Sequence, residues 1–247
     1  MRGVCEDCEF LMITVAYGAG TNSTAVLVGL HERVERPDLI LFADTGGERP
    51  ETYEYIKFMS SWCVRNGFPP IVTVRAPNKL LEQDCIDRNA LPSVAYGFKT
   101  CSLRFKKEPQ DKWLLNNGMR DSIRLVGIDA DEMHRAKEYS NTRYPLIEWN
   151  WGRDECIEAI ARAGLPQPGK SACFFCPSSK PREILELGRT HPDLLSRALA
   201  MEANAELTSV KGLGRSYAWR DLVKFNDAQI DLFGYTPEVP CGCYDGD

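Results

Sequence analysis

The chain has 247 residues, 43% of them hydrophobic and 26% charged, with a formal net charge of −5. That length buries a substantial core, as one large domain or one domain with an appendage, and the composition is that of an ordinary globular protein. The acidic balance excludes broad, nonspecific attraction to nucleic acid, leaving room only for a local basic groove, and the longest apolar run is far too short to cross a bilayer.

In chain order, an apolar run from Phe10 to Ala16 predicts a first strand. It leads into Tyr17-Gly18-Ala19-Gly20-Thr21-Asn22-Ser23-Thr24-Ala25 and an apolar-periodic stretch through Val26, Leu27 and Leu30: strand, small-residue turn, helix. Backbone N–H groups of such a turn point outward and the helix N-terminus adds partial positive charge, so the segment suits a phosphate or sulfate. An ordinary tight turn between strand and helix is the alternative. No Lys follows the second Gly, unlike the P-loop, and the glycine spacing does not match the dinucleotide fingerprint.

Asp38–Ala43 predicts a second strand, ending in Asp44-Thr45-Gly46. Glu51–Asn66 predicts a helix through Tyr55, Phe58, Met59 and Trp62, stopped by Gly67. Ile71–Arg75 reads as a third strand, Ser122–Ile128 as a fourth and Pro145–Trp149 as a fifth. Residues 76–110 read as a long, weakly periodic insertion. Asp154 caps a helix ending at Gly164, after which a Gly, Pro and Cys stretch precedes helices at 182–190 and 192–206 and a polar tail, Thr236–Asp247. Alternating strands and helices predict an α/β fold, a doubly wound parallel sheet over residues 1–165, with a small Cys-containing helical region, 166–247, packed on it. Ligands of such sheets lie beyond the C-terminal strand ends, where the turn after strand one, the Asp44 loop and the Gly127 loop all open.

No basic-apolar-small pattern opens the chain, so it is expected to be cytoplasmic with no membrane partner. Ten cysteines are then not a disulfide framework. They pair as Cys5-x-x-Cys8, Cys173-Phe-Phe-Cys176-Pro177 and Cys241-Gly-Cys243, with Cys63, Cys85, Cys101 and Cys156 single. Cys63 and Cys156, inside helical patterns, read as small buried apolar residues. The Cys173-x-x-Cys176 pair is the strongest metal or redox signal, yet it supplies two thiolates where tetrahedral zinc or a 4Fe-4S cluster needs four. Zinc on Cys173, Cys176, Cys241 and Cys243 is one account and a metal-free pair another, and thiolate spacing alone does not separate zinc from iron–sulfur.

Several segments together resemble a known superfamily. Gly18-Ala-Gly-Thr-Asn-Ser-Thr24 resembles the pyrophosphate-binding loop of PP-loop ATP pyrophosphatases. Phe42-Ala-Asp-Thr-Gly-Gly-Glu-Arg-Pro-Glu-Thr52 resembles the Asp-Thr-Gly block of the phosphoadenosine phosphosulfate (PAPS) reductase family. Thr100-Cys-Ser-Leu-Arg-Phe-Lys-Lys-Glu-Pro109 is similar to that family's Cys, basic, Pro block. Gly127-Ile-Asp-Ala-Asp-Glu-Met-His-Arg135 is similar to its Gly-x-Arg-x-Asp-Glu-x-x-Arg segment. The likeness spans roughly residues 10–180, and as a set it is specific to the superfamily rather than to one reaction within it.

The resemblance implies an adenine nucleotide alpha hydrolase-like fold binding an adenine nucleotide, ATP with Mg. The nucleotide would be held by Tyr17, Gly18, Ala19, Gly20, Thr21, Asn22, Ser23 and Thr24, with Asp44, Arg104, Lys107 and Gly127. It implies catalytic roles for Ser23, Asp44, Lys106 and Arg135. It also implies a 4Fe-4S cluster, with zinc as the alternative, on Cys101, Cys173, Cys176 and Cys241. The first activity implied is adenylation of an acceptor for sulfur transfer, in nucleic-acid modification such as tRNA thiolation or DNA phosphorothioation, with a cysteine desulfurase or other sulfur donor as partner. The second is thiol-dependent reduction of PAPS or adenylyl sulfate to sulfite. Pro240-Cys241-Gly242-Cys243-Tyr244 shares Cys-Gly with the reductases' mobile C-terminal segment but lacks its Glu and His. The third is a nonenzymatic nucleotide-binding subunit. The chain departs from the pattern at Gly18 (Ser in the family), Asn22 (Asp), Asp129 (often Arg) and Thr100-Cys101, where cluster-bearing reductases have a Cys pair.

Overall fold

A computed structural model describes residues 12–233, with side chains as far as residue 226. Strands form where β-branched and apolar residues concentrate: β1 (Ile13–Tyr17), β2 (Leu39–Asp44), β3 (Ile71–Arg75), β4 (Ile123–Val126) and the short β5 (Thr142–Arg143). All pair in parallel, in the order β3-β2-β1-β4-β5. Helices connect and follow them: α1 (Thr21–Glu32), α2 (Pro50–Arg65), α3 (Leu81–Asp87), α4 (Thr100–Ser102) and α5 (Glu108–Asn116). Then come α6 (Pro145–Glu148), α7 (Arg153–Arg162), α8 (Pro181–Thr190), α9 (Pro192–Asn204) and α10 (Trp219–Phe233). Among the described residues no helix is long and apolar enough to cross a membrane.

β2 is buried along its whole length, and its alternate residues serve two cores. Ile40 and Phe42 join Val15 and Tyr17 of β1 against Ala25 and Val26 of α1, Met59 and Cys63 of α2, and Ala159 and Ile160 of α7. Leu39, Leu41 and Ala43 belong to a second cluster with Val74 of β3 and Leu114 of α5. A strand apolar on both sides is what a parallel sheet covered on both faces requires, and the expected α/β architecture is present.

Three local expectations change, the first being that Gly152 rather than Asp154 caps α7, with Asp154 inside its first turn. Pro145–Trp149 is not a strand: residues 145–148 form α6, and the edge strand is Thr142–Arg143 just before it. Pro145 occupies the first helical position, where its missing N–H leaves no bond unmade, and Leu146 is fully buried. The stretch 76–110 is not loop-like. It holds α3, a 3-10 turn at Ser93–Tyr96, α4, a π-helical turn at Leu103–Lys107 and the start of α5. Elements this short leave no window long enough for a helical period to stand out.

The chain divides into two compact units. The first is the described chain to Asp44 with Glu48–Pro77 and Phe105–Ser171, and it contains the whole sheet. The second is Thr45–Gly47, Asn78–Arg104 and the described chain from Ala172 onward, so the 78–104 segment belongs with the C-terminal helices. Within this second unit Arg197 of α9 pairs with Glu82 of α3, and Asn204 Nδ2 donates to Asn89 Oδ1 at 3.0 Å and to Ile86 O at 3.1 Å. Glu202, 1% exposed, accepts from the backbone N–H groups of Leu213 (2.7 Å), Trp219 (2.9 Å) and Arg220 (3.1 Å), tying α9 to the start of α10.

Candidate functional site

β1 lies between β2 and β4, so the strand order reverses beside it, and the crevice beyond the C-terminal ends of β1 and β4 is the usual ligand position in such a sheet. There Gly18-Ala19-Gly20 turns the chain from β1 into α1. Ala19 is buried at φ 58°, a left-handed conformation that costs an L-residue about 1–2 kcal/mol and is a component of anion-binding backbone nests. The turn is braced on three sides. Gly20 N donates to Ser23 Oγ (3.3 Å), which in turn donates to Gly20 O (3.1 Å). Ser171 Oγ donates to Gly18 O. Tyr17 OH and Thr24 Oγ1 share a hydrogen bond of 3.3 Å beneath the loop. Burial pushes the Tyr17 phenol far above its ordinary range, so it stays neutral there. Tyr17 and Thr24 are thus internal supports of the loop.

Gly127, at the end of β4, closes this site from the neighbouring strand. A Cβ built on it would lie 2.9 Å from both Asn22 C and Ser23 N, so only glycine lets β4 approach the first turn of α1 this closely. Two residues on, Asp129 is 3% exposed; its Oδ2 accepts from Asn22 Nδ2 (2.9 Å) and its Oδ1 from Glu132 N (3.0 Å). On the other side of the same amide, Arg153 Nη1 donates to Asn22 Oδ1 at 3.3 Å. The Arg153 backbone N–H donates to Asp131 Oδ2 at 2.7 Å, fixing the start of α7 to the β4 loop. An amide both donates to a carboxylate and accepts from a guanidinium, which a carboxylate at position 22 could not do.

The remaining expected residues are placed as follows. Asp44, 1% exposed at the end of β2, accepts from Tyr53 OH (2.9 Å) on Oδ1 and from Arg75 Nε (2.9 Å) and Nη2 (2.7 Å) on Oδ2. Oδ2 thus accepts two of these hydrogen bonds and Oδ1 one, and each carboxylate oxygen offers about two lone-pair sites. Burial, reinforced by the bond to Asp44, raises the Tyr53 phenol well above its ordinary value and keeps it a donor. Lys106 Nζ meets Glu48 Oε1 at 3.1 Å; the Glu48 side chain is fully enclosed, and its Oε2 has no hydrogen-bond partner among the described residues. Lys107 pairs with Asp111 at 2.6 Å, Arg135 with Glu132 at 2.5 Å and, in the second unit, Arg104 with Asp84 at 3.5 Å. Each cation expected at the anion therefore has a carboxylate beside it. The sequence reading did not single out Arg153, Arg75, Tyr53 or Glu48. A signal for Arg153 was available: it begins a helix whose next residues are Asp154 and Glu155, and a cation at a helix N-terminus opposes the macrodipole.

In the second unit, Cys173 Sγ and Thr45 Oγ1 share a hydrogen bond of 3.1 Å, and Thr45 Oγ1 also accepts from Gly47 N at 3.3 Å. Phe174 N donates to Gly47 O (2.7 Å) and Cys176 N to Cys173 O (2.9 Å), so the Cys-Phe-Phe-Cys turn is locked onto the segment after β2. The Phe175 ring fills the space a Cβ on Gly47 would take, 2.7 Å away. Cys101 N donates to Ser93 Oγ at 2.8 Å. Among the described residues no three or more His, Cys, Asp or Glu side chains are grouped to hold a metal. Cys101, Cys173 and Cys176 therefore do not by themselves fit a cluster or zinc centre, and Cys241, Cys243, Cys5 and Cys8 lie outside the described residues. Cys63 and Cys156 are fully buried, and burial pushes both thiols up to about 12.

No family model matches the chain, and no curated protein matches it in sequence. Among solved structures it is similar to a PAPS reductase from Candida auris in a phosphate complex, at 17% identity over 64% of this chain and 74% of that one, TM-score 0.45. It is also similar to the U34-tRNA thiolase NcsA from Methanococcus maripaludis with its 4Fe-4S cluster, at 14% identity over 87% of this chain and 81% of that one, TM-score 0.47. Likeness at this distance carries no weight for function, which has to be read from the chain's own residues.

Proposed function

We propose that the chain is an adenylating enzyme of the PP-loop type. It binds ATP by its polyphosphate, transfers AMP to an acceptor oxygen and releases pyrophosphate, which activates that position for sulfur insertion. The observation that carries this reading is the Gly18–Thr24 turn, which ends the strand at the sheet's switch point and is capped by Gly127 at backbone contact. Outward N–H groups and the α1 N-terminus receive phosphate oxygens, and Ser23 holds the turn in shape through Gly20. The acceptor oxygen attacks the α-phosphorus and the bond to the β-phosphate oxygen breaks, its electron pair leaving with pyrophosphate. Fixed donors around the loop stabilise the charge that develops on that leaving group. Asp44 orients Arg75 and Tyr53 at the neighbouring strand end.

The acceptor in this reading is a nucleic acid, a tRNA or DNA, and the sulfur comes from a separate donor such as a cysteine desulfurase. A 4Fe-4S cluster on Cys101, Cys173, Cys176 and Cys241 would belong to the same reading, and it would require Cys101 to join the Cys173–Cys176 pair, with which it is not grouped among the described residues. A second reading, reduction of PAPS or adenylyl sulfate to sulfite by a thiol, is favoured by the Thr45 hydroxyl on Cys173, which places a thiol against the Asp-Thr-Gly block.

An anaerobic product assay tests both. AMP and pyrophosphate formed from ATP support the adenylating enzyme, and sulfite formed from PAPS with reduced thioredoxin supports the reductase. No product from either leaves a nonenzymatic nucleotide-binding subunit.

A further inference from the structure

We propose that Arg153 is the cation that serves the polyphosphate at this site. The inference rests on the reading of Gly18–Thr24 as a phosphate loop and adds a residue to it. The basic residues expected from the 100–109 and 127–135 segments stand against carboxylates: Lys106 at Glu48, Lys107 at Asp111, Arg135 at Glu132 and Arg104 at Asp84. Arg153 differs. It is exposed, no carboxylate forms an ion pair with it among the described residues, and Nη1 reaches Asn22 in the first turn of α1.

Its location is held from two directions. Asp131 accepts from its backbone N–H, and Asn22, itself pinned by Asp129, accepts from its guanidinium. Asn22 therefore works as a positioning residue, presenting Arg153 to the loop without neutralising it. A guanidinium offers five N–H donors in a planar fork suited to phosphate oxygens, and the contact with Asn22 occupies one end of it. Arg153 occupies the positive end of α7, where the macrodipole disfavours a cation and Asp154 and Glu155 in the same turn offset that effect. An anionic ligand at the loop would meet the part of the guanidinium fork that Asn22 leaves open. The ligand class is an inorganic or nucleotide polyphosphate, with adenosine itself indifferent to Arg153.

Isothermal titration of the full chain with inorganic pyrophosphate, ATP and adenosine tests this, using wild type, Arg153→Gln and Arg153→Lys. Gln keeps a donor for Asn22 without the charge, and Lys keeps the charge without the fork. The expected result is a tenfold to hundredfold loss (about the value of one charge-assisted contact) of pyrophosphate and ATP affinity in Arg153→Gln, with adenosine affinity unchanged and a shallower salt dependence. Arg153→Lys should fall between. Wild type that takes up no pyrophosphate would overturn the phosphate-loop reading and this inference together. Wild type that binds while Arg153→Gln binds equally well overturns the role of Arg153 alone. Equal losses for adenosine and pyrophosphate would likewise overturn it, reducing Arg153 to a helix-start residue.

Discussion

The side-chain amide of Asn22 donates to the buried carboxylate of Asp129 across 2.9 Å, joining the first turn of α1 to the loop after β4. The pair explains two departures from the superfamily pattern at once. With Asp129 in place, an aspartate at 22 would set two carboxylates face to face beside the proposed phosphate loop. Asn22→Asp should therefore cost about 1–2 kcal/mol of stability and weaken ATP binding. Asp129→Asn in the same chain should recover most of the loss. A double-mutant cycle by denaturant unfolding and ATP titration reads the coupling; additive effects would show that the two residues act independently.

Gly127→Ala inserts a methyl group 2.9 Å from the backbone of Asn22 and Ser23, atoms that cannot swing aside as a side-chain tip would. The first turn of α1 must shift, and nucleotide affinity should drop by tenfold or more while the sheet stays folded. Ser23→Ala removes the brace on Gly20 and should weaken ATP binding by about tenfold. Calorimetry with circular dichroism as the folding control checks both, and unchanged affinity in either variant would count against this location for the phosphates.

How far these positions were legible differs from one to the next. β1, the turn and α1 could be read because an apolar run, a small-residue turn and a helical period follow one another without interruption. β2 was equally clear, its six apolar-flanked residues ending at Asp44. Pro145–Trp149 is ambiguous in sequence because a short apolar run has no length to distinguish a buried helix from a strand, and only Pro145 at a helix-start position points to the helix. Arg153 could not be linked to Asn22 in advance. The two are 131 residues apart, and a contact of that span has no local signature.

In the second unit, Glu202→Ala would leave three backbone donors, at Leu213, Trp219 and Arg220, without the carboxylate they share. Stranding buried donors is among the larger single-site penalties, and about 3 kcal/mol or more of destabilisation is expected by urea unfolding. A loss near zero would mean that water replaces the carboxylate freely.

Stability should also depend on alkaline pH through Cys63 and Cys156, whose thiols burial raises from 9.0 to about 12. A raised thiol favours the folded state while it is neutral in both states. That contribution is complete below about pH 9 and declines as pH climbs toward 12, because the unfolded chain ionises first. Melting temperature measured from pH 8 to 12 should fall over that window. A Cys63→Ala, Cys156→Ala variant, although less stable throughout, should show the shallower decline.

At the turn after α1, Val34 is 77% exposed and sits at φ 59°. A β-branched residue is a poor occupant of the left-handed region, so Val34→Gly should stabilise the chain by about 1 kcal/mol, measured as a higher denaturant midpoint.

The second unit gathers three separate lengths of chain, and this sets an order of events during synthesis. Glu82 of α3 waits for Arg197 of α9, 115 residues later. At roughly 5–20 residues per second, the 78–104 segment emerges on the order of ten seconds before its partner exists. Throughout that interval Glu82 lacks Arg197, and Ile86 O and Asn89 lack the Asn204 amide that joins them in the finished protein. The nascent chain thus carries α3 without its α9 partner for a little under half of its elongation, a natural point for a chaperone to hold.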